Sequence, residues 1–294
     1  MAKTKNLHSY DVKVGRRTIH LTELGEGYPV ILLHGGGPGA SGMSNYSKNA
    51  EALAEHFRVL IPDMPGYGKS TKGIDRADPF GDLAEGILGL MHALNIPKAH
   101  VVGNSLGGAC ALRMALEQSR KVSALVLMGP GGIGTTRGLP TKGLNKLLNY
   151  YGGEGPTTEK LSDFIRNYLV FDGSQVSDAV IQERFRSSID PEVVAQPPLR
   201  RPNSLGGALR MDFTRDARLA ECTTPTLVIW GADDKVNRPS GGPRLQRTMR
   251  NCDLYVMSNT GHWAQWERAE EFNELVTLYL KQRTPLNAEQ RISA

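Results

Sequence analysis

The 294-residue sequence has no long hydrophobic run, few cysteines and no concentrated charge. No apolar stretch approaches the roughly 18 residues that span a bilayer, so no membrane segment is expected. Residues 1–6 are polar and lack the apolar core of a signal peptide, which makes the cytoplasm the expected location. The three cysteines, Cys110, Cys222 and Cys252, are widely separated without metal-ligand spacing. We expect them to be reduced packing residues.

The basic residues are dispersed although the formal net charge is +5. They adjoin only in isolated pairs such as Arg16-Arg17, Arg120-Lys121 and Arg200-Arg201, whereas a nucleic-acid partner calls for a concentrated basic face. We therefore expect no nucleic-acid partner. A modest positive net charge could help attract an anionic small molecule, but charged residues on an ordinary solvated surface explain the net charge more simply.

Short apolar runs alternate with helical patterns after an opening hairpin, which the alternation of Val12, Val14, Ile19 and Leu21 around Gly15 predicts. Nearly unbroken apolar runs of this length are typical of strands covered on both faces, as in a parallel sheet. Helical patterns occupy 83–94 and 106–116, between such runs. The runs are 30–33, 59–61, 101–102, 124–128, 226–230 and 254–257. The sequence therefore predicts an α/β fold with a mostly parallel central sheet flanked by helices.

The interval from 136 to 207 interrupts this alternation. It contains no apolar run that resembles a core strand, but it has helical stretches at 142–150, 159–170 and 177–188. An insertion between core strands would lie over their carboxyl ends, where open α/β sheets bind ligands. We interpret residues 136–207 as a helical lid between two parts of the core, 1–135 and 208–294. An insertion without a role in binding remains the alternative.

The sequence Gly103-Asn104-Ser105-Leu106-Gly107 follows a predicted strand and opens a predicted helix. This is the Gly-x-Ser-x-Gly elbow, a turn so sharp that it lifts the serine oxygen above the sheet and requires glycine on both sides. The pattern alone is weak, but its position between strand and helix makes it specific. Ser105 is the predicted nucleophile.

A serine nucleophile needs an imidazole to take its proton and an acid to orient that imidazole. In this fold the order along the chain is serine, acid, histidine. His262 is the histidine that follows the last predicted strand, and Asp233 and Asp234 follow the strand before it. We predict His262 as the base and favour Asp234 over Asp233 as the acid. His34, beside Gly35, is better explained as a residue that shapes the neighbouring loop.

The glycine-rich loop His34-Gly35-Gly36-Gly37-Pro38-Gly39 follows the 30–33 strand. Its backbone could approach a developing oxyanion, which predicts the N–H groups of Gly36 and Leu106 as an oxyanion hole. A phosphate-binding loop is disfavoured, because no Gly-Lys-Ser/Thr ending follows and no Gly-x-Gly-x-x-Gly spacing opens a helix. We expect no metal and no cofactor.

Four motifs together resemble the meta-cleavage product hydrolases of the α/β-hydrolase superfamily. They are His34-Gly-Gly-Gly-Pro-Gly-Ala-Ser-Gly-Met-Ser-Asn-Tyr46, Gly103-Asn-Ser-Leu-Gly-Gly108, Met128-Gly-Pro-Gly-Gly132 and Gly261-His-Trp-Ala-Gln-Trp-Glu267. The resemblance implies hydrolysis of a carbon–carbon bond in 2-hydroxy-6-oxo-hexa-2,4-dienoates, giving 2-hydroxypenta-2,4-dienoate and a carboxylic acid such as benzoate. It also implies a homo-oligomer, a dimer or larger.

The resemblance further implies a polar subsite for the anionic dienoate. Asn45, Asn104 and Trp263 match it by motif, and Arg184 matches an arginine of the lid, although Arg186 lies only two residues away. A guanidinium is suited to bind a carboxylate through two N–H groups. A carboxylesterase that uses the same Ser105, Asp234 and His262 is the alternative, since only this subsite distinguishes the two activities.

Overall fold

The computed structural model describes residues 7–202 and 204–285, and within these ranges eight strands form one sheet of order β1-β2-β4-β3-β5-β6-β7-β8. Pairings from β4 through β8 are parallel, whereas β2 pairs antiparallel with β1 and β4. The strands are β1 His8–Val14, β2 Arg17–Leu24, β3 Pro29–Leu33, β4 Arg58–Pro62, β5 Ala99–Asn104, β6 Val122–Met128, β7 Thr226–Gly231 and β8 Cys252–Met257. The prediction that residues 1–6 do not form a signal peptide concerns residues outside the described ranges.

The central strands are apolar throughout because helices cover both faces of the sheet. Every residue of β5 and β7 is buried, and the core divides into two apolar clusters, one on each face. Successive side chains of a strand point to opposite faces, so Val101 packs in one cluster and Val102 in the other. The predicted mostly parallel α/β architecture is confirmed.

Thirteen α-helices lie within the described ranges, and polar N-caps start most of the longer ones. Asp78 accepts the Gly81 N–H at the start of α3, and Ser177 caps α7 by accepting from Val180. The helices are α1 Gly42–Tyr46, α2 Ala50–Ala54, α3 Pro79–Ala93, α4 Leu106–Glu117, α5 Lys142–Leu148, α6 Thr158–Phe164, α7 Asp178–Ser188, α8 Pro191–Ala195, α9 Leu205–Arg210, α10 Arg218–Glu221, α11 Gly241–Thr248, α12 Ala264–Glu267 and α13 Ala269–Lys281. None combines the length and apolar character that crossing a bilayer requires.

The chain between β6 and β7 forms a helical segment, α5 to α10. The described part of this segment has no β-strand and includes a π-helical turn, Ile165–Leu169, after α6. A third apolar cluster joins residues of α5 to α7 to Val236, Trp263 and Trp266, which follow strands β7 and β8. The helical segment therefore packs over the carboxyl ends of the strands. The boundary at 207 falls inside α9, and a lid function for the segment stays a prediction.

Candidate active site

Ser105 occupies the sharp turn between β5 and α4. Its backbone has φ +53° and ψ −110°, a conformation that a residue with a side chain rarely adopts. A Cβ atom on Gly103 would lie 2.3 Å from the Gly107 carbonyl oxygen, and one on Gly107 would lie 2.2 Å from the Leu33 carbonyl oxygen. The glycines are therefore required by close backbone approach, and the serine is held at the end of the buried strand β5.

Asp234 and His262 meet beside Ser105 from loops after β7 and β8. The His262 Nδ1–H donates to Asp234 Oδ2 at 2.7 Å, and both side chains are almost fully buried. A Cβ atom on Gly129, which follows β6, would lie 3.2 Å from His262 Nδ1. Gly129 thus leaves the space that the buried acid–imidazole pair occupies.

The Asp234 carboxylate is oriented by further donors. Its Oδ1 accepts the backbone N–H groups of Val236 and Asn237, both at 2.8 Å, and its Oδ2 also accepts Trp230 Nε1–H at 3.1 Å. The carboxylate of Asp233, by contrast, has no hydrogen bond among the described residues, and its backbone N–H donates to Thr260. Of the two sequence candidates, the structure brings Asp234 to the imidazole.

The second imidazole nitrogen makes no hydrogen bond with any described residue. His262 Nε2 is buried and has no hydrogen-bond partner within the part of the chain that the structure describes. A long contact between nucleophile and base is common before substrate binds, because the catalytic hydrogen bond tightens in the complex. The geometry therefore leaves Nε2 available to a proton from Ser105.

His34 is engaged at both ring nitrogens, which excludes a role as base. Its Nδ1–H donates to the Gly35 carbonyl oxygen at 2.8 Å, and its Nε2 accepts the Met64 N–H at 2.9 Å. Complete burial lowers the pKa of His34 to about 4, so the ring is neutral at pH 7. Because the Gly35 carbonyl and the Gly36 N–H belong to one planar peptide, His34 also fixes the direction of that N–H.

Gly36 and Leu106 are adjacent, as an oxyanion hole requires. A Cβ atom on Gly36 would lie 3.2 Å from the Leu106 Cβ. Leu106 is the first residue of α4, so its N–H belongs to the unsatisfied first turn and carries the positive end of the helix dipole. The glycine loop and the start of α4 are therefore in contact at the two predicted donors, and their role as an oxyanion hole stays a prediction.

Arg184 is buried, although it lies on a helix of the helical segment. The side chain is on α7 with 3 % residue exposure, and its Nε–H donates to the Pro38 carbonyl oxygen at 2.9 Å. Its guanidinium lies 5.5 Å from the centre of the Trp263 ring, and Nη1 has no hydrogen-bond partner among the described residues. Burial lowers the pKa of Arg184 to about 10. Arg186 is exposed instead.

Asn45 and Trp263 contact each other directly, next to the glycine loop. Trp263 Nε1–H donates to Asn45 Oδ1 at 3.2 Å, and Asn45 Nδ2 donates to the Ser41 carbonyl oxygen. Asn104 Nδ2 donates to the His262 carbonyl oxygen at 3.1 Å. The structure therefore brings Asn45 and Arg184 together around Trp263, and links Asn104 to the histidine loop.

Glu267 is a site residue to which the sequence motifs assigned no role. Its carboxylate accepts the N–H groups of Gly261 and Trp263, on either side of His262, and the N–H of Phe171 in the helical segment. The motif Gly261–Glu267 contained this glutamate five residues after His262, but the contact with Phe171 spans 96 residues and has no local signal. Among the described residues, no three His, Cys, Asp or Glu side chains form a metal-binding group.

Comparison with known proteins agrees with this geometry. Residues 28–269 match the α/β-hydrolase fold family. A 2-hydroxy-6-oxo-6-phenylhexa-2,4-dienoate hydrolase of Comamonas testosteroni is 38 % identical over 271 residues, covering 90 % of this chain and 92 % of the relative. A 2-hydroxy-6-oxononadienedioate/2-hydroxy-6-oxononatrienedioate hydrolase of the same species is 37 % identical over 268 residues, 89 % of this chain and 91 % of the relative.

A solved structure is similar over nearly the whole chain. The meta-cleavage product hydrolase of Pseudomonas fluorescens IP01 superposes with a TM-score of 0.82 at 30 % identity, covering 94 % of this chain and 98 % of the other. The parallel sheet, the serine elbow and the family match define an α/β-hydrolase. Within that class the chain belongs to the meta-cleavage product hydrolases.

Proposed function

We propose that this protein hydrolyses the carbon–carbon bond between C5 and C6 of 2-hydroxy-6-oxo-hexa-2,4-dienoates, with Ser105 as nucleophile, His262 as base and Asp234 as acid. The observation that carries the proposal is Arg184, a buried guanidinium with an unpartnered Nη1 beside Trp263. A buried charge without a partner is costly, so such a group calls for an anionic ligand. The C1 carboxylate of a dienoate is suited to it. A simple ester has no corresponding charge.

The reaction follows from these positions. The 2-hydroxy proton moves to C5, which converts the dienol to its keto tautomer. Ser105 Oγ then attacks the C6 ketone while His262 Nε2 takes its proton, and the N–H groups of Gly36 and Leu106 stabilise the oxyanion. The C5–C6 bond breaks, its electron pair passes to the dienolate, and the proton on His262 neutralises that leaving group.

The second half of the reaction releases the acyl group. Water attacks the acyl-Ser105 carbonyl, His262 takes a proton from that water, and Ser105 leaves as a hydroxyl after receiving the proton. The products are 2-hydroxypenta-2,4-dienoate and a carboxylic acid. Asp234 stabilises the imidazolium in both halves through its contact with Nδ1 at 2.7 Å.

The remaining polar residues of the proposed subsite differ in how they act. Asn45 Oδ1 accepts the Trp263 Nε1–H, so these two side chains are fixed against each other beside Arg184. In this arrangement they would orient the 2-oxo end of the substrate. Asn104 joins the elbow to the histidine loop through the His262 carbonyl. Binding energy released at the C1 carboxylate can thereby hold C6 against Ser105.

We propose further that the helical segment serves as the lid over this site. The space between the glycine loop and the segment, lined by Gly36, Tyr67 and Tyr151 among others, holds only about 10 Å³. That volume admits about one water molecule, so the segment covers the glycine loop tightly. The support for a lid is this tight covering together with Arg184, which the segment contributes from α7.

A substrate comparison tests the activity. We expect a higher kcat/KM for 2-hydroxy-6-oxo-6-phenylhexa-2,4-dienoate or 2-hydroxy-6-oxononadienedioate than for p-nitrophenyl benzoate, despite the better leaving group of the ester. Loss of the dienoate's visible absorbance gives the rate. If the ester is preferred tenfold or more over every dienoate tested, including alkyl-substituted ones, the protein is a carboxylesterase and Arg184 serves another purpose.

The assembly and compartment are also proposed. Strand β8 forms one edge of the sheet and exposes Tyr255 and Val256, and an edge strand with apolar exposed residues favours pairing with another chain. We therefore expect a homo-oligomer, and we propose separately that it is located in the cytoplasm. Light scattering during gel filtration should give at least twice the chain mass, and a monomer at micromolar concentration would contradict this assembly.

A further inference from the structure

Glu267 lies where the histidine loop meets the helical segment. Its Oε2 accepts the Phe171 N–H at 2.7 Å, and its carboxylate also accepts Gly261 N–H at 3.0 Å and Trp263 N–H at 3.2 Å. The side chain is only partly exposed and sits at the end of α12. One carboxylate thus satisfies three backbone donors from two distant parts of the chain.

The same two parts of the chain are joined by a second bond. The His262 N–H donates to the Leu169 carbonyl oxygen at 2.8 Å, at the end of the π-helical turn. A Cβ atom on Gly261 would lie 2.8 Å from that carbonyl, so the two backbones are in direct contact. His262 is consequently held by Asp234 at its ring, by Leu169 at its N–H, and by Glu267 through both neighbouring residues.

We propose that Glu267 is a positioning residue that joins the His262 loop to residues 169–171 of the helical segment, and that its carboxylate helps to place the imidazole. This inference rests on the proposed function of Ser105 and His262. It concerns a group that does not touch the substrate. It acts through the backbone on either side of the base.

Charge strengthens the same role. Burial raises the pKa of Glu267 above its usual range, although the backbone N–H groups of Phe171, Gly261 and Trp263, and to a smaller extent His262, act to lower it. A carboxylate anion at this position would stabilise the positive charge that the imidazole gains when it takes the Ser105 proton. From the helical segment, the Phe171 N–H faces the carboxylate. Arg268 is directed to Glu271 and the Ser258 carbonyl, and Lys48 to the Trp266 carbonyl.

The test compares three single substitutions. Glu267→Gln retains the size of the side chain but removes the charge and one acceptor, whereas Glu267→Asp retains the charge on a shorter stem. Glu274→Gln, at an exposed position on α13, is the matched control for loss of a surface carboxylate. An aryl fluorophosphonate, which reacts with an activated serine, reports on the base without a dienoate; circular dichroism reports on folding.

We expect Glu267→Gln to lower the rate of phosphonylation at Ser105 and the kcat for dienoate about 10- to 100-fold, because a small displacement of a catalytic group has effects of that size. KM should change less. The acid limb of the rate–pH profile should move to lower pH, since the substitution removes the titration of Glu267, whose pKa is raised by burial. Glu267→Asp should keep the wild-type acid limb at a reduced rate, and Glu274→Gln should match the wild type.

Each outcome decides a separate question. Glu267 is only structural if the folded Glu267→Gln protein has the wild-type kcat. The same conclusion follows if its melting temperature falls while the acid limb of its rate–pH profile does not move. If Glu267→Gln does not fold, Glu267→Asp decides the question. Full activity of Glu267→Asp overturns the proposal, whereas a reduced kcat with the acid limb of the wild-type rate–pH profile supports it. If Ser105→Ala is labelled as fast as the wild type, the proposed function itself fails, and the inference with it.

Discussion

The substitution Arg184→Met separates substrate recognition from stability, because the two should change in opposite directions. Methionine keeps the length and the packing against Trp263 but removes the charge. In the wild type the guanidinium is buried, its Nε–H donates to Pro38, and its Nη1 lacks a partner in the described structure. A group arranged in this way strengthens the binding of an anionic ligand but lowers the free energy of unfolding of the protein without ligand.

The magnitudes follow from the contacts. Loss of a buried charge-assisted contact to a carboxylate costs about 2–5 kcal/mol, or roughly 30- to 4,000-fold in kcat/KM for the dienoate. Burial lowers the Arg184 pKa well below its usual range, to about 10, and a lowering of that size corresponds to a destabilisation of the fold by about 3 kcal/mol. The methionine variant would be relieved of this destabilisation, but it would also lose the hydrogen bond to Pro38, which costs roughly 1.5–3 kcal/mol.

The sign with pH is fixed by the direction of the shift. Below pH 10 the guanidinium is charged in both the folded and the unfolded chain, so its full penalty is present at pH 7 and is relieved only as the pH rises through 10. We therefore expect the free energy of unfolding of Arg184→Met at pH 7 to be unchanged or higher by up to about 1.5 kcal/mol, the difference between the two preceding terms.

The assay uses two substrates and one denaturant. kcat/KM is measured with 2-hydroxy-6-oxo-6-phenylhexa-2,4-dienoate and with uncharged p-nitrophenyl benzoate, and urea unfolding is measured at pH 7. Arg186→Ala, exposed two residues further along α7, is the control and should leave all three values unchanged. Equal losses on both substrates, together with a lower free energy of unfolding, would mean that Arg184 supports the fold and does not bind the carboxylate.

Three further predictions concern the remaining residues of the site. Ser105→Ala should lower kcat by about 10⁴-fold or more while the circular dichroism spectrum is retained, and a variant with a tenth of wild-type turnover would exclude Ser105 as nucleophile. Asp234→Asn should lower kcat by about 10⁴-fold while Asp233→Asn changes it less than threefold; comparable losses would contradict the contact with His262. Because burial depresses the His34 pKa to about 4, the stability that neutral His34 provides should be complete above about pH 6.5 and lost as the pH falls towards 4. Urea unfolding of wild type and His34→Gln between pH 7 and 4.5 tests this, since an equal pH dependence in both would exclude His34 as its source.

Strand positions were predictable because burial on both faces leaves continuous apolar runs, but strand lengths were not. The run at 101–102 is the centre of β5, which extends to Ala99 and Asn104. His100, Gly103 and Asn104 have weak strand preference in isolation, yet each pairs with a neighbouring strand. Tertiary hydrogen bonding thus extends a strand beyond its apolar centre.

The types of the site residues and their order along the chain could be predicted from the sequence. The choice between two neighbouring candidates depends on the direction in which each side chain points. Arg184 and Arg186 could have been distinguished, since Ile181, Arg184 and Ser188 form the buried face of α7 at helical spacing. Asp233 and Asp234 share one turn, and no periodicity separates them. The bond between Glu267 and Phe171 joins distant segments, so local patterns carry no information about it.

Two of the attachments between the helical segment and the core use main-chain carbonyls. Leu169 contributes its carbonyl to the His262 N–H, and Pro38 contributes its carbonyl to Arg184. Every residue type carries that acceptor, so these attachments place few demands on the surrounding side chains. Segments from relatives could therefore be exchanged as cassettes, provided that three features are kept: an arginine at the position of Arg184, the backbone path through 169–171, and the apolar contacts with Val236, Trp263 and Trp266. Acyl specificity could then be altered in laboratory chimaeras without redesigning the serine elbow.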